Sequence, residues 1–214
     1  QMGSHMHPEI TMTCSPMSLL LEAWERSDHQ TLRAAFMADA MKLAAAGCDF
    51  FVCPDNTAHI ALESLGEPFP IPALHIGEVV AEEAGREGRT KIGILGTRFT
   101  MAGPVYPGSL GRRGIGWAVP GEEDRKVIDD IIFDELCLGA FTDESRDAYV
   151  RIIEQLKDDG CDAVALVCTE IPLLISQDDS PLPILDSTRL LAAAAIDVAT
   201  GERPMPEWRG GPIG

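Results

Sequence analysis

The sequence predicts an α/β protein of two pseudo-symmetric lobes, each a mainly parallel sheet flanked by helices. Three observations carry that prediction. First, short apolar runs alternate with helical patterns along the chain, and strands separated by helices form parallel sheets covered on both faces. Second, residues 47–57 (GCDFFVCPDNT) and 160–170 (GCDAVALVCTE) are copies of one device: a Gly-Cys-Asp turn, a short apolar strand and a small polar cluster, offset by 113 residues from Gly47 to Gly160. Third, residues 70–75 (PIPALH) and 181–186 (PLPILD) repeat a turn and a short strand at an offset of 111, from Pro70 to Pro181. Such a duplication predicts two similar lobes facing one another. It also sets Asp55 opposite Cys168 in equivalent loops.

The elements follow in order. Residues 3–6 (GSHM) match an expression-vector scar and are set aside from the fold; residues 7–13 read as a strand, and a piece of the native N-terminus, with its first strand, is expected to be missing. Ser27 and Asp28 can cap a helix over 30–46, in which Leu32, Ala35, Phe36, Ala40 and Leu43 share one apolar side. A strand at 50–53, a helical stretch at 56–65, a strand at 73–76 and a helix at 77–87 complete the first lobe, residues 1–88. Residues 88–90 (GRT) mark the boundary. The second lobe, residues 89–186, holds strands at 91–96 and 114–119, helices at 122–138 and 143–159, and strands at 163–167 and 182–185. A helix over 187–199 is expected to pack back on the first lobe, followed by an irregular Pro/Gly-rich tail at 200–214.

Composition excludes several function classes. At 214 residues, 45% hydrophobic and 24% charged, the chain suits a soluble globular protein with room for one large domain or two small lobes. No apolar run reaches the roughly 18 residues of a membrane span. A net charge of −17 disfavours nucleic acid and anionic membranes, because a polyanion binder needs a clustered basic face. Small anionic substrates stay compatible. Six cysteines without CxxC pairs read as reduced thiols of a cytoplasmic protein rather than a disulfide framework. No set of residues has metal-ligand spacing, and residues 93–96 (GILG) lack the dinucleotide fingerprint.

In parallel sheets, ligands sit outside the carboxyl ends of the strands, where loops lead into helix N-termini. Asp55, Asn56 and Thr57, the segment from Thr97 to Thr100, and Cys168, Thr169 and Glu170 all fall at that edge. Three loops are therefore expected to converge. Each candidate has a plainer reading. A cysteine ending an apolar strand is commonly a small buried hydrophobe, Asp55 could simply cap the next helix, and Thr97 and Thr100 could be caps as well. His59 could hold its loop. Cys14, Cys48, Cys137 and Cys161 are expected to be structural, and Cys53 buried.

The residues at these ends resemble a known family. Residues 54–59 (PDNTAH) and 167–174 (VCTEIPLL) are similar to the paired signatures of the aspartate/glutamate (Asp/Glu/hydantoin) racemase superfamily. Residues 95–100 (LGTRFT), 134–139 (DELCLG) and 185–191 (LDSTRLL) resemble segments of its aspartate racemase branch, in the same order. The resemblance covers nearly the whole chain. It implies two pseudo-symmetric lobes with the active site in the cleft between them, no cofactor and a homodimer. One departure stands out: where the family usually has cysteine before Asn-Thr, this chain has Asp55, with Cys53 two residues upstream. Leu138 occupies a position where some relatives carry lysine.

Inversion at an α-carbon without a cofactor needs a base on one face and a proton donor on the other. Cys168 suits this chemistry, since a helix N-terminus can lower a thiol pKa from about 8.5; on that ground it is expected to be the cysteine that iodoacetamide modifies fastest. Asp55 starts some ~4.6 pKa units below a free thiol, and burial or a neighbouring thiolate would raise it. The expected function is a cofactor-independent racemase of aspartate, glutamate or a related small acidic substrate, with Cys168 and Asp55 as the opposed pair. Asn56, Thr57, Thr97, Thr100, Thr169 and Glu170 would hold the α-carboxylate and the developing negative charge. The alternatives are a one-thiol decarboxylase or isomerase of the same superfamily, and a catalytically silent amino-acid-binding protein.

Overall fold

The two Gly-Cys-Asp turns end their helices in the same way. In the computed structural model, which describes residues 7–208, Gly47 and Gly160 both sit at φ 87°, a left-handed conformation that glycine adopts without steric cost. The cysteine after each glycine donates its N–H to the carbonyl five residues earlier, Cys48 to Leu43 at 3.1 Å and Cys161 to Leu156 at 2.9 Å. This bond closes a Schellman turn, which stops the helix and aims the chain into the next strand.

In chain order the elements are α1 (Leu21–Glu25), α2 (His29–Ala45), β1 (Phe51–Val52), α3 (Ala58–Leu62), β2 (Ala73–Leu74), α4 (Ile76–Arg86), β3 (Lys91–Leu95), α5 (Arg98–Ala102), α6 (Val105–Arg112), β4 (Gly116–Ala118), α7 (Glu122–Asp134), α8 (Asp143–Asp158), β5 (Ala163–Leu166), α9 (Ile171–Leu174), β6 (Ile184–Asp186) and α10 (Ser187–Ala199). The duplication reaches deeper than the sequence motifs: α2-β1-α3-β2-α4 and α8-β5-α9-β6-α10 run in the same order. Their strand registers agree as well. Phe51 pairs with Ala73 and Val52 with Leu74; at the offsets read from the sequence, Val164 pairs with Ile184 and Ala165 with Leu185. The bond from Phe51 N–H to the Pro72 carbonyl recurs from Val164 N–H to the Pro183 carbonyl, each at 2.9 Å.

All strand pairs are parallel, in a two-stranded sheet β1-β2 and a four-stranded sheet of order β4-β3-β5-β6. The chain forms two compact units. The first contains the chain up to Cys53, Ala58–His75 and everything from Ala192; the second contains Pro54–Thr57 and Ile76–Leu191. The change of unit thus falls at residues 75 and 76, whereas the sequence placed the boundary at 88, because α4 packs on α6 and β6 of the second unit. The core of the first unit gathers Ala40, Phe51, Leu62, Phe69 and Ala73. That of the second gathers Ile128, Ile132, Tyr149, Ile152, Ile153 and Leu156 from α7 and α8 against Val164 and Leu166 of β5.

Several expectations need correction. Residues 7–13 form no strand; Ile10 and Met12 are 82% and 84% exposed, and apolar spacing without a partner ladder does not make a strand. The expected scar at 3–6, and the end of the tail from 209, lie outside the described residues. The helical stretch at 56–65 shortens to α3. Residues 122–138 divide into α7 and a separate 3₁₀ turn at Leu136–Leu138. Helices α5 and α6 carried no readable pattern, since Pro104, Pro107, Gly108 and Gly111 crowd the segment. Pro107 is harmless there: it lies in the first turn of α6, where N–H groups have no partner within the helix. Among the described residues no helix is long and apolar enough to cross a membrane.

The β3 and β5 ends meet closely at Gly96, where an added Cβ would lie 2.6 Å from Val167 Cγ2 and 3.0 Å from the Val167 carbonyl oxygen. Gly96→Ala is therefore expected to cost roughly 1–3 kcal/mol of stability through overpacking. Gly85→Ala, in α4 with only Ile115 at 4.0 Å, is expected to add roughly 0.5–1 kcal/mol by removing a helix glycine. Urea unfolding of the two variants checks both signs, and equal midpoints would count against this packing.

Candidate active site

The second unit holds every sequence-predicted site residue. Because its strands are parallel, the segments leaving β3, β5 and β6 emerge at one edge of the sheet. Val167 N–H donates to the Leu95 carbonyl at 2.8 Å, so the chain stays locked to β3 up to the residue before Cys168.

Cys168 is half-buried and packs against the α7-α8 core. Its Sγ donates to Glu170 Oε2 at 3.0 Å, and Thr169 Oγ1 donates to the same oxygen at 2.6 Å. Burial pushes the thiol far above its ordinary pKa, and the hydrogen bond to the Glu170 carboxylate pushes it further. This corrects the expectation of a thiol activated by a helix N-terminus. Helix α9 starts three residues later and is a single turn, too slight a dipole to outweigh desolvation and an adjacent carboxylate. Cys168 is the holder of a proton rather than a ready thiolate.

Three hydroxyls form a second cluster. Thr97 caps α5, accepting from Thr100 N–H at 3.3 Å. Thr57 Oγ1 lies 3.1 Å from Thr97 Oγ1 and 2.8 Å from Thr100 Oγ1, and the latter two lie 3.2 Å apart. Each hydroxyl can donate one hydrogen bond and rotate to do so, so the triangle can turn its protons toward an anion. The turn that carries it is held from beneath: the buried carboxylate of Asp129 accepts from Arg98 N–H and Arg98 Nη1, both at 2.8 Å.

Asn56 behaves differently from its neighbours. It is buried at 2% exposure; its Nδ2 donates to Ser187 Oγ at 3.0 Å, its Oδ1 accepts from the Tyr106 hydroxyl, and Ser187 Oγ donates to the Leu166 carbonyl at 2.9 Å. The side chain named in the sequence as a substrate ligand is engaged inside the protein, tying residues 54–57 to the end of β5. Asp55, next to it, is exposed. Sequence reasoning missed Tyr106 and Ser187. Ser187 lies in a segment that resembles the family, but Tyr106 sits among prolines and glycines that gave no periodic signal.

The remaining candidates fall elsewhere. His59 is fully buried in the first unit, edge-on to His75 at 4.7 Å and stacked on Trp208 at 6.1 Å, consistent with holding its segment. Of the cysteines expected to be structural, Cys161 is buried, Cys48 is intermediate, and Cys14 and Cys137 are exposed. Among the described residues no group of three or more His, Cys, Asp or Glu side chains could hold a metal ion.

Comparison with known proteins points the same way as the signatures. The profile of the family described as Asp/Glu/Hydantoin racemase matches residues 1–195. The chain is 24% identical over 169 residues to the broad specificity amino-acid racemase RacX of Bacillus subtilis, covering 79% of this chain and 73% of that protein. It is 28% identical over 161 residues to a glutamate racemase of Aquifex aeolicus, covering 73% of this chain but only 61% of that protein's length. Among solved structures, a candidate Asp/Glu racemase from Yersinia pestis superposes with a TM-score of 0.82 at 33% identity, over 92% of this chain and 86% of that one. An aspartate racemase homologue from Pyrococcus horikoshii superposes with a TM-score of 0.79 at 27% identity, over 94% and 87%.

The protonated thiol reverses one expectation about reactivity: exposed Cys14 is now expected to be alkylated by iodoacetamide before Cys168. Glu170→Gln removes the carboxylate that favours the thiol form, so alkylation of Cys168 at neutral pH should speed up by roughly tenfold for each pKa unit released. Peptide mass spectrometry over a time course reads both rates. An unchanged Cys168 rate in Glu170→Gln would leave burial as the sole cause.

Proposed function

The chain belongs to the Asp/Glu/hydantoin racemase family, and from that premise we propose that it is a cofactor-independent amino-acid racemase acting on aspartate, glutamate or a related small acidic substrate. The observation that carries the reading is the Cys168 thiol at the carboxyl end of β5, whose Sγ donates to Glu170 Oε2 at 3.0 Å. A planar carbanion needs a proton delivered to one face, and a protonated thiol with a carboxylate partner supplies one. Asp55 is the opposed group, taking the α-proton from the other face as a carboxylate. The hydroxyls of Thr57, Thr97 and Thr100 hold the α-carboxylate, and Thr169 supports the Glu170 carboxylate. Asn56 acts by anchoring, keeping Asp55 and Thr57 on either side of a fixed residue. A reducing, cytoplasmic location and a homodimer accord with the free Cys168 thiol and the family.

A second reading draws on the same proton. With burial and the Glu170 carboxylate pushing the thiol up, the resting site holds a proton on the Cys168 side, as a one-thiol enzyme would. A decarboxylase or isomerase of this family would use Cys168 to protonate a planar intermediate from that face alone.

Variants separate the two. Cys168→Ser should lower turnover by roughly 10²- to 10⁴-fold in either reading. Asp55→Asn keeps the shape but cannot shuttle a proton, so it should abolish racemisation, while Asp55→Cys, which recreates the family's thiol pair, should restore it or raise it. Racemisation rates measured by circular dichroism decide the matter. Full racemisation in Asp55→Asn would remove Asp55 from the mechanism, whereas an unaltered protein that inverts no amino acid but loses activity in Cys168→Ser would favour the one-thiol reading.

A further inference from the structure

We infer that Tyr106 is a positioning residue for Asp55 and Thr57: its phenol starts a one-way chain of hydrogen bonds that holds Asn56, the residue between them. The inference rests on the reading of Asp55 as a proton-transfer group and Thr57 as a substrate ligand. Tyr106 lies in the first turn of α6 and is fully buried. Its hydroxyl donates to Asn56 Oδ1, Asn56 Nδ2 donates to Ser187 Oγ at 3.0 Å, and Ser187 Oγ donates to the Leu166 carbonyl at 2.9 Å.

The direction of this chain follows from its ends. The Leu166 carbonyl can only accept, so it takes the single proton of Ser187. Ser187 then offers the amide a lone pair, which calls for Nδ2 rather than Oδ1. The Asn56 oxygen is left facing Tyr106, the donor it needs. The phenol cannot change role: burial holds it well above its ordinary pKa, outweighing the lowering effect of the Ser187 hydroxyl. Two successive helices thus grip two successive residues. Tyr106 of α6 holds Asn56 from inside, while Thr97 and Thr100, at the start of α5, meet Thr57 Oγ1 at 3.1 and 2.8 Å. Those hydroxyls can rotate toward a ligand, so the fixed hold falls to the amide. Without the phenol, the Asn56 oxygen loses its donor at 2% exposure, where water does not replace it. The segment then has to move to find another, and a displacement of about 1 Å can cost roughly 100-fold in rate.

Tyr106→Phe, compared with and without Asn56→Leu, tests this, since leucine keeps the size of the asparagine side chain and removes its polar atoms. Alone, Tyr106→Phe should lower the thermal midpoint and speed amide exchange in a peptide spanning 54–57 by roughly tenfold, with exchange in α8 unchanged. Racemisation kcat should fall roughly 10- to 100-fold, with KM within about fivefold. In the Asn56→Leu background, where the phenol has lost its acceptor, the same substitution should raise the midpoint and leave kcat within about twofold, because both partners are then apolar. A midpoint lowered equally in both backgrounds overturns the inference. So does an unchanged exchange rate at 54–57, or faster exchange in α8 as well, which marks general loosening. In an active protein, an unchanged kcat in Tyr106→Phe overturns it too. If Tyr106→Phe does not fold alone, the midpoints of Asn56→Leu and the double variant still decide. If the unaltered protein racemises nothing, the functional reading fails, while midpoints and exchange rates still settle what Tyr106 holds.

Discussion

A buried carboxamide has to satisfy its donor and acceptor inside the protein, and the one on Asn56 fixes the geometry around it. Its oxygen accepts a hydrogen bond from the Tyr106 hydroxyl, its nitrogen donates to Ser187, and Ser187 donates to the last carbonyl of β5. Leaving one of these buried groups unsatisfied costs about 1–3 kcal/mol, so residues 54–57 have little freedom to drift from the β5 end. Asp55 and Thr57 flank that anchor. Thr57 in turn closes the hydroxyl triangle with Thr97 and Thr100, and Asp129 secures the turn beneath through Arg98. Two short polar networks thus hold three loops at one sheet edge.

The architecture was legible because duplication writes itself twice. The matching Gly-Cys-Asp starts at Gly47 and Gly160 marked two turns, which the structure closes as Schellman motifs, and the strands that the offsets of 113 and 111 relate pair in the same register. Long amphipathic helices such as α8 were equally plain. What escaped was local. Pro107 and the glycines beside it concealed α6, and residues 7–13 offered strand spacing with no ladder to join. The boundary at 88 came from a Gly-Arg-Thr turn, yet α4 packs on α6 and β6, which no local pattern records.

The site divides similarly. Residue type and position picked out Cys168, Glu170 and the threonines, because strand ends followed by small polar residues are where a parallel sheet presents its loops. The protonation state of Cys168 was not readable, since it depends on how deeply the thiol is buried and on the direction of the Glu170 carboxylate. Nor was the inward turn of Asn56, which requires Tyr106 and Ser187, residues 50 and 131 positions away in sequence. Short-range chemistry is visible in a chain; the partners of a buried polar group are not.

The central claim is that protons are exchanged at the α-carbon from two faces. Incubating the unaltered protein in D₂O with each enantiomer of aspartate and of glutamate, and following the α-proton by NMR, tests it most directly. The account predicts loss of the α-proton signal from both enantiomers of an accepted substrate, accompanied by inversion. Exchange confined to one enantiomer without inversion, or no exchange from any of the four, would contradict it.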